Sequence, residues 1–270
     1  LLRQDHSMDF HCSGYSEIDA KAVKTYCANY HPEVDGELAM GDIVEFTSNK
    51  NNMDNLPQFD LVTGGFPCQT FSMMGKQAGF NEYRGQMFFH IIDILAAKMP
   101  RYVLLENVKN LKSHDKGRTF ARIKQELEAL GYQVFTDIFN TAQFHLPQTR
   151  NRLLIFATTE PVPADFEVQF TCDNIAVLFD QVYQDLGTYH YQSVNDILSL
   201  DVDQKYFLSE RIKPTLLADG SANFKSKSDI NMSIARPLTA TMHKMHRACQ
   251  DNYYSQDFIE SHGAINPVKT

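Results

Sequence analysis

Residues 59–69 read Phe-Asp-Leu-Val-Thr-Gly-Gly-Phe-Pro-Cys-Gln. The apolar, branched run at 59–63 predicts a buried strand. Gly64 and Gly65 break it, and Pro67 shapes a turn that carries a cysteine directly after the strand. A second run, Tyr-Val-Leu-Leu at 102–105, predicts another strand, ending at Glu106 and Asn107. In an open parallel sheet, ligands gather outside the carboxyl ends of the strands, so GGFPCQ and ENV point their polar groups at one crevice.

Working outward, residues 87–98 (MFFHIIDILAAK) have the spacing of a buried helix closed by Pro100. Residues 119–130 form an amphipathic helical pattern closed by Gly131, and residues 132–139 and 153–158 supply further strands. Strands alternating with helices predict an α/β fold. After Pro161 the pattern weakens, and from Ser193 it is short, polar and irregular, which marks a second lobe. The stretch 221–233 reads as a loop, and no internal repeat is present.

With 270 residues, 43% of them apolar, the chain can bury one good-sized core or a core with a smaller appended lobe. No run approaches the roughly 18 apolar residues needed to cross a bilayer. The start, LLRQDHSMDFHCSGY, lacks the basic-then-apolar order of a signal peptide, so a cytoplasmic location is expected. The five cysteines (Cys12, Cys27, Cys68, Cys172, Cys249) are odd in number, with no C-x-x-C pair. Neither a disulfide framework nor a zinc cluster is expected.

The formal charge of −8 argues against nucleic-acid binding only if it is spread evenly. It is not. From 204 to 250, eight basic residues (Lys205, Arg211, Lys213, Lys225, Lys227, Arg236, Lys244, Arg247) face three acidic ones (Glu210, Asp219, Asp229). An acidic body with a basic later segment suits a nucleic-acid-facing lobe as well as a solvated basic surface.

A lone cysteine is usually a small buried hydrophobe, but a strand-end turn shaped by proline and glycine exposes it, and an exposed thiolate is a nucleophile. Both readings of Cys68 stand on the tetrad alone. The stretch 73–86, with its three glycines, reads as a loop over a site or a plain surface loop. Glu106 is placed as a general acid or as a helix cap. Arg150 and Arg152, two residues apart before a strand, share a side and can clamp a phosphate or a base oxygen, or pair with surface carboxylates. Glu17 follows a probable strand, and Asp42 occupies a similar place after the next helical segment; acidic residues so placed take ribose hydroxyls or cap helices. His243 and His246 lack the carboxylate or thiol that would complete a metal site.

Taken in order, GGFPCQTFS at 64–72, GKQAGF, RGQMFF, ENVKNL at 106–111 and QTRNRLLIF at 148–156 resemble the cytosine-5 DNA methyltransferases of bacterial modification systems. The resemblance covers about 10–159 and resumes at RPLTAT, 236–241. It implies an S-adenosylmethionine-dependent, Rossmann-like sheet with helices on both faces, plus a smaller, irregular target-recognition lobe. On this basis residues 1–185 form the catalytic, cofactor-binding domain and residues 186–270 part of the recognition domain.

Residue by residue, the resemblance makes Cys68 the nucleophile on carbon 6 of cytosine and Glu106 the hydrogen-bonding partner of the ring nitrogen and amine. Arg152 holds the base oxygen, with Arg150 in support. Gln69 fills the space left in the duplex by the flipped base, Ser72 holds DNA phosphate, and Thr239 or Thr241 supports the flipped nucleotide. Glu17 matches the ribose ligand and Asp42 the adenine-amine ligand. Ile18 and Ile43 line the cofactor, and Pro67 lies by the methyl donor. No metal is implied.

The family's glycine-rich opening loop is not found before Phe10, so a fragment, or a split enzyme completed by another polypeptide, is expected. Duplex DNA is the implied partner, with a cognate restriction endonuclease acting on the same site and no membrane. A transfer-RNA cytosine-5 methyltransferase and a non-catalytic DNA-binding relative are the rivals; a dinucleotide oxidoreductase lacks its G-x-G-x-x-G.

Overall fold

The computed structural model describes residues 10–67, 87–186, 191, 193–219, 226–238, 247–262 and 268–269. Expectations for the 73–86 loop and for Cys68, Gln69, Ser72, Thr239, Thr241, His243 and His246 lie outside them. Contacts divide the chain into two compact units, Leu1–Thr136 with Leu153–Phe166, and Asp137–Arg152 with Glu167–Thr270.

In the first unit, β1 (Gly14–Tyr15) runs parallel to β2 (Leu38–Ala39). The strands approach so closely that a side chain at Gly14 would lie 2.7 Å from the Leu38 carbonyl oxygen, and only glycine fits. Between them run α1 (Ala20–Tyr30), capped by the Asp19 carboxylate, and α2 (Pro32–Asp35). α3 (Ile43–Ser48) and α4 (Lys50–Asn55) follow, capped by Asp42 and Asn49. Phe46, Leu56 and Ile94 make a small core there, with Met40, Ile43, Met53 and Phe59 packed against it.

β3 (Leu61–Gly65) pairs in parallel with β4 (Tyr102–Val108), from Leu61 opposite Tyr102 to Gly65 opposite Glu106. Both strands differ from expectation in the same direction. β3 includes the two glycines expected to end it, and β4 continues through Glu106 and Asn107. Cross-strand pairing, which the periodicity of one strand does not report, carries both onward. α5 (Met87–Lys98) has the expected bounds and buries Phe88, Ile91, Ile94 and Leu95, one stripe of the helix. Its chain then turns at Met99, in the left-handed region, before Pro100.

α6 (Arg118–Ala129) buries Thr119, Ile123 and Leu127 at four-residue spacing. β5 (Gln133–Asn140) and β6 (Asn151–Thr158) complete a sheet of order β3-β4-β6-β5. Val103, Leu105, Leu111, Ile123, Leu127, Leu153 and Ile155 are wholly buried in this unit. Each contributes about 1.5–3 kcal/mol relative to an exposed side chain.

The second unit includes Asp137–Arg152. Phe139 packs on Phe144 and Phe170, and Phe144 on Phe179, which ties the 3-10 turn Thr141–Phe144 to α7 (Phe166–Gln169) and α8 (Cys172–Leu186). Beyond Ser193 the elements are short, as expected: 3-10 turns at Val194–Asp196, Gln204–Tyr206 and Glu210–Ile212, then α9 (Lys213–Leu217), β7 (Asp229–Ile230), α10 (Gln256–Glu260) and β8 (Val268–Lys269). β7 falls inside the stretch expected to be loop, paired with β8.

Polar side chains bonded to backbone hold this part together. Asn231, 1% exposed, donates to Ser255 Oγ and accepts from the Ser255 amide. Ser228 donates to the Ala218 carbonyl. Satisfied buried polar groups such as these define one arrangement where apolar residues are few. Among the described residues no helix is long and apolar enough to cross a membrane.

Candidate active site

The carboxyl ends of β3 and β4 bring together the residues that the sequence singled out at 64–67 and 106–107. Glu106 is half-buried and stands opposite Gly65, where a side-chain carbon would lie 3.3 Å from Glu106 Oε2. Gly65 therefore leaves room for the carboxylate. The next residue, Asn107, is 2% exposed. Its Nδ2 donates to the Phe66 carbonyl at 2.7 Å, and its Oδ1 accepts from the Val108 amide at 2.9 Å. Phe66 is buried against Phe88, with ring centres 5.2 Å apart, while Pro67 is exposed. An apolar anchor thus precedes the exposed Pro67, and a carboxylate stands at the neighbouring strand end, where it can exchange a proton or hydrogen-bond with a bound ring.

The parallel register of β1 and β2 sets the loops after them side by side. The Met40 amide donates to the Tyr15 carbonyl at 2.9 Å, and Ser16 Oγ donates to the Gly41 carbonyl at 2.7 Å. Glu17 Oε1 accepts from the amides of Ile18 and Asp19, both at 2.8 Å, and Asp42 Oδ1 accepts from Val44 at 2.8 Å. Both carboxylates organise their own loops, while Ile18 presents an apolar side chain 66% exposed. Ile43 packs into the small core.

In the second unit, the Arg150 amide donates to Thr141 Oγ1 at 3.0 Å and the Thr141 amide returns to the Arg150 carbonyl at 3.1 Å. Thr141 Oγ1 also donates to the Gln148 carbonyl. Arg152 Nη1 donates to the Asn151 carbonyl at 2.9 Å, and both arginines are half-buried. The Thr149 amide donates to the Ala235 carbonyl, and the Ala235 amide to Pro147, each at 2.8 Å. This joins QTRNR to the chain entering RPLTAT. Arg236 is anchored by Asp229, 3.5 Å from its Nη2, and by Asn252, which accepts from its amide.

The roles of Asn107 and Ser16 were not read from the sequence. Asn107 lay within the ENV triplet, but a side-chain bond to a carbonyl just past the end of another strand has no periodic signal. Among the described residues no group of three or more His, Cys, Asp or Glu is arranged to hold a metal.

The profile of the family described as C-5 cytosine-specific DNA methylase matches residues 3–267. The chain is 40% identical over 197 residues to Type II methyltransferase M1.ScrFI of Lactococcus lactis subsp. cremoris, covering 73% of this chain and 45% of that protein. It is 38% identical over 204 residues to Type II methyltransferase M.NlaX of Neisseria lactamica, covering 76% and 57%. The chain therefore spans about half the length of the curated relatives it matches. Among solved structures, the S. pombe Dnmt2 methyltransferase superimposes with a TM-score of 0.61 at 20% identity, over 90% of this chain and 67% of that one. The Entamoeba histolytica methyltransferase EhMeth gives 0.60 at 17% identity, over 91% and 72%. These two likenesses show the α/β methyltransferase fold.

Proposed function

Because the chain belongs to the C-5 cytosine-specific DNA methylase family, we propose that it transfers a methyl group from S-adenosylmethionine to carbon 5 of cytosine in a specific duplex DNA sequence. The observation that carries this reading is the register that sets Gly65 opposite Glu106, so that the strand leading into Pro67 and Cys68 ends beside a carboxylate. The Type II methyltransferases among its relatives support a restriction-modification setting, and the same proposal places the reaction on duplex DNA in the bacterial cytoplasm.

The residues at the ends of β1 and β2 fit the cofactor: Glu17 suits ribose hydroxyls, Asp42 suits an exocyclic amine, and exposed Ile18 suits a ring face. Ile43 and Pro67 complete the proposed set. When bound, S-adenosylmethionine supplies an activated methyl group. Cytosine is a poor electrophile, so the Cys68 thiolate adds to carbon 6, forming a sulfur–carbon bond and making carbon 5 electron-rich. Glu106 hydrogen-bonds the ring nitrogen and amine, and Arg152, supported by Arg150, holds the base oxygen where charge accumulates. Once carbon 5 carries the methyl group, loss of its proton to a base lets the sulfur–carbon bond to Cys68 break and restores the ring.

A stacked base is out of reach of these groups, so the cytosine is flipped out, at a cost of a few kcal/mol. Contacts from Gln69, Ser72, Thr239 and Thr241 offset that cost. Residues 186–270 act as part of the recognition lobe.

The test is covalent trapping on duplex DNA carrying 5-fluorocytosine, in which carbon 5 has no proton to lose. The wild type with S-adenosylmethionine is expected to give a denaturation-resistant adduct that Cys68→Ala does not form. Absence of that adduct would overturn the reading; trapping on transfer RNA instead of DNA would replace the substrate.

A further inference from the structure

We infer that Asn107 is a positioning residue for the proposed reaction: its side chain fixes the end of β3, two residues before Cys68, against the strand end that carries Glu106. The inference rests on the methyltransferase reading of the same site. Three observations meet at this residue. It is 2% exposed in a strand whose other inward positions, Val103 and Leu105, are wholly apolar, so a polar side chain there needs partners. Its Nδ2 donates at 2.7 Å to the Phe66 carbonyl, which lies just beyond the last paired residue of β3. Its Oδ1 accepts from the Val108 amide at 2.9 Å, which orients the amide so that the donor faces Phe66.

The β3–β4 register ends at Gly65 opposite Glu106. One residue further on, the Asn107 side chain replaces the backbone ladder and ties the departing chain to β4. Because Glu106 and Asn107 are adjacent, movement of the acid and of the chain leading to the nucleophile is coupled through one peptide. Groups that must react with one substrate need such a fixed separation, and an error of about 1 Å costs on the order of a hundredfold in rate.

The experiment compares the wild type with Asn107→Asp, which keeps the shape and acceptor but sets an oxygen against the Phe66 carbonyl. Asn107→Ser serves as a smaller neutral variant should the aspartate fold poorly. Adduct formation on 5-fluorocytosine DNA is followed in time, so that rate and final amplitude separate. The expected result is an amplitude and a DNA Kd within about twofold of wild type, with a rate constant lower by about a hundredfold. A fall in amplitude with an unchanged rate constant would mean that Asn107 only supports folding, and would overturn the inference.

Hydrogen exchange of the 64–68 peptide is measured on the same proteins without DNA or cofactor. It is expected to quicken in the variants while the 102–106 peptide keeps its protection; unchanged exchange overturns the clamp. A wild type that forms no adduct would count against methyl transfer, and the exchange measurement would still decide the clamp.

Discussion

A methyl group at Gly65 would press within 3.3 Å of Glu106 Oε2, so alanine there requires the carboxylate to give by a few tenths of an ångström. The backbone is an extended strand that alanine accepts, and by restricting the unfolded chain the substitution by itself stabilises by about 0.4–1 kcal/mol. Gly65→Ala is therefore expected to keep or raise the melting temperature while lowering the rate of adduct formation by about tenfold. Equal rates in the two proteins would show that the Glu106 carboxylate does not depend on its placement. Glu106 itself was legible in the ENV triplet. The need for glycine opposite it was not, because it follows from a pairing between residues 41 positions apart.

Where a motif supplies both a local cap and a proposed ligand, substitutions separate the two roles. Asp42 accepts from the Val44 amide at the start of α3, and asparagine caps a helix nearly as well as aspartate, whereas alanine costs about 1 kcal/mol. Asp42→Asn is expected to melt like the wild type and Asp42→Ala several degrees lower. Both are expected to weaken S-adenosylmethionine binding in calorimetric titration; full affinity in the asparagine variant would remove the charge from the proposed contact. The same contrast governs how elements were read. α5 was legible to the residue because its stripe of Phe88, Ile91, Ile94 and Leu95 is a local pattern. β3 and β4 run two or three residues past their expected ends because strand length is settled by the neighbour.

At the scale of the whole molecule, buried and half-buried tyrosines make both compact units sensitive to alkali. Burial pushes Tyr132 up to about 12 in the first unit, where its hydroxyl donates to the Pro100 carbonyl. Burial likewise pushes Tyr253 and Tyr254 up to about 12 in the second. Unfolded tyrosine ionises near pH 10, so the unfolded chain releases these protons first. Their contribution is whole below about pH 10 and is lost as pH rises toward 12. Denaturant midpoints measured between pH 8 and pH 11.5 are expected to fall most steeply above about 10. Tyr132→Phe is expected to cost about 1 kcal/mol at neutral pH and to flatten the fall in the first unit; an unchanged slope would refute the assignment.

The sequence by itself determined the α/β order of elements and the residue types of the site, because helical stripes, apolar runs and short motifs are written between chain neighbours. Tertiary structure alone decided the Ser16 bond to Gly41, 25 residues away, the Asn107 bond to Phe66, 41 residues away, and the pairing of Gln148 with Ala235. It also decided that Phe139, Phe144, Phe170 and Phe179 bind α8 to the second unit. The physical reason is distance: these groups interact only once folding has closed the long loops between them, and no local periodicity encodes which ends will meet.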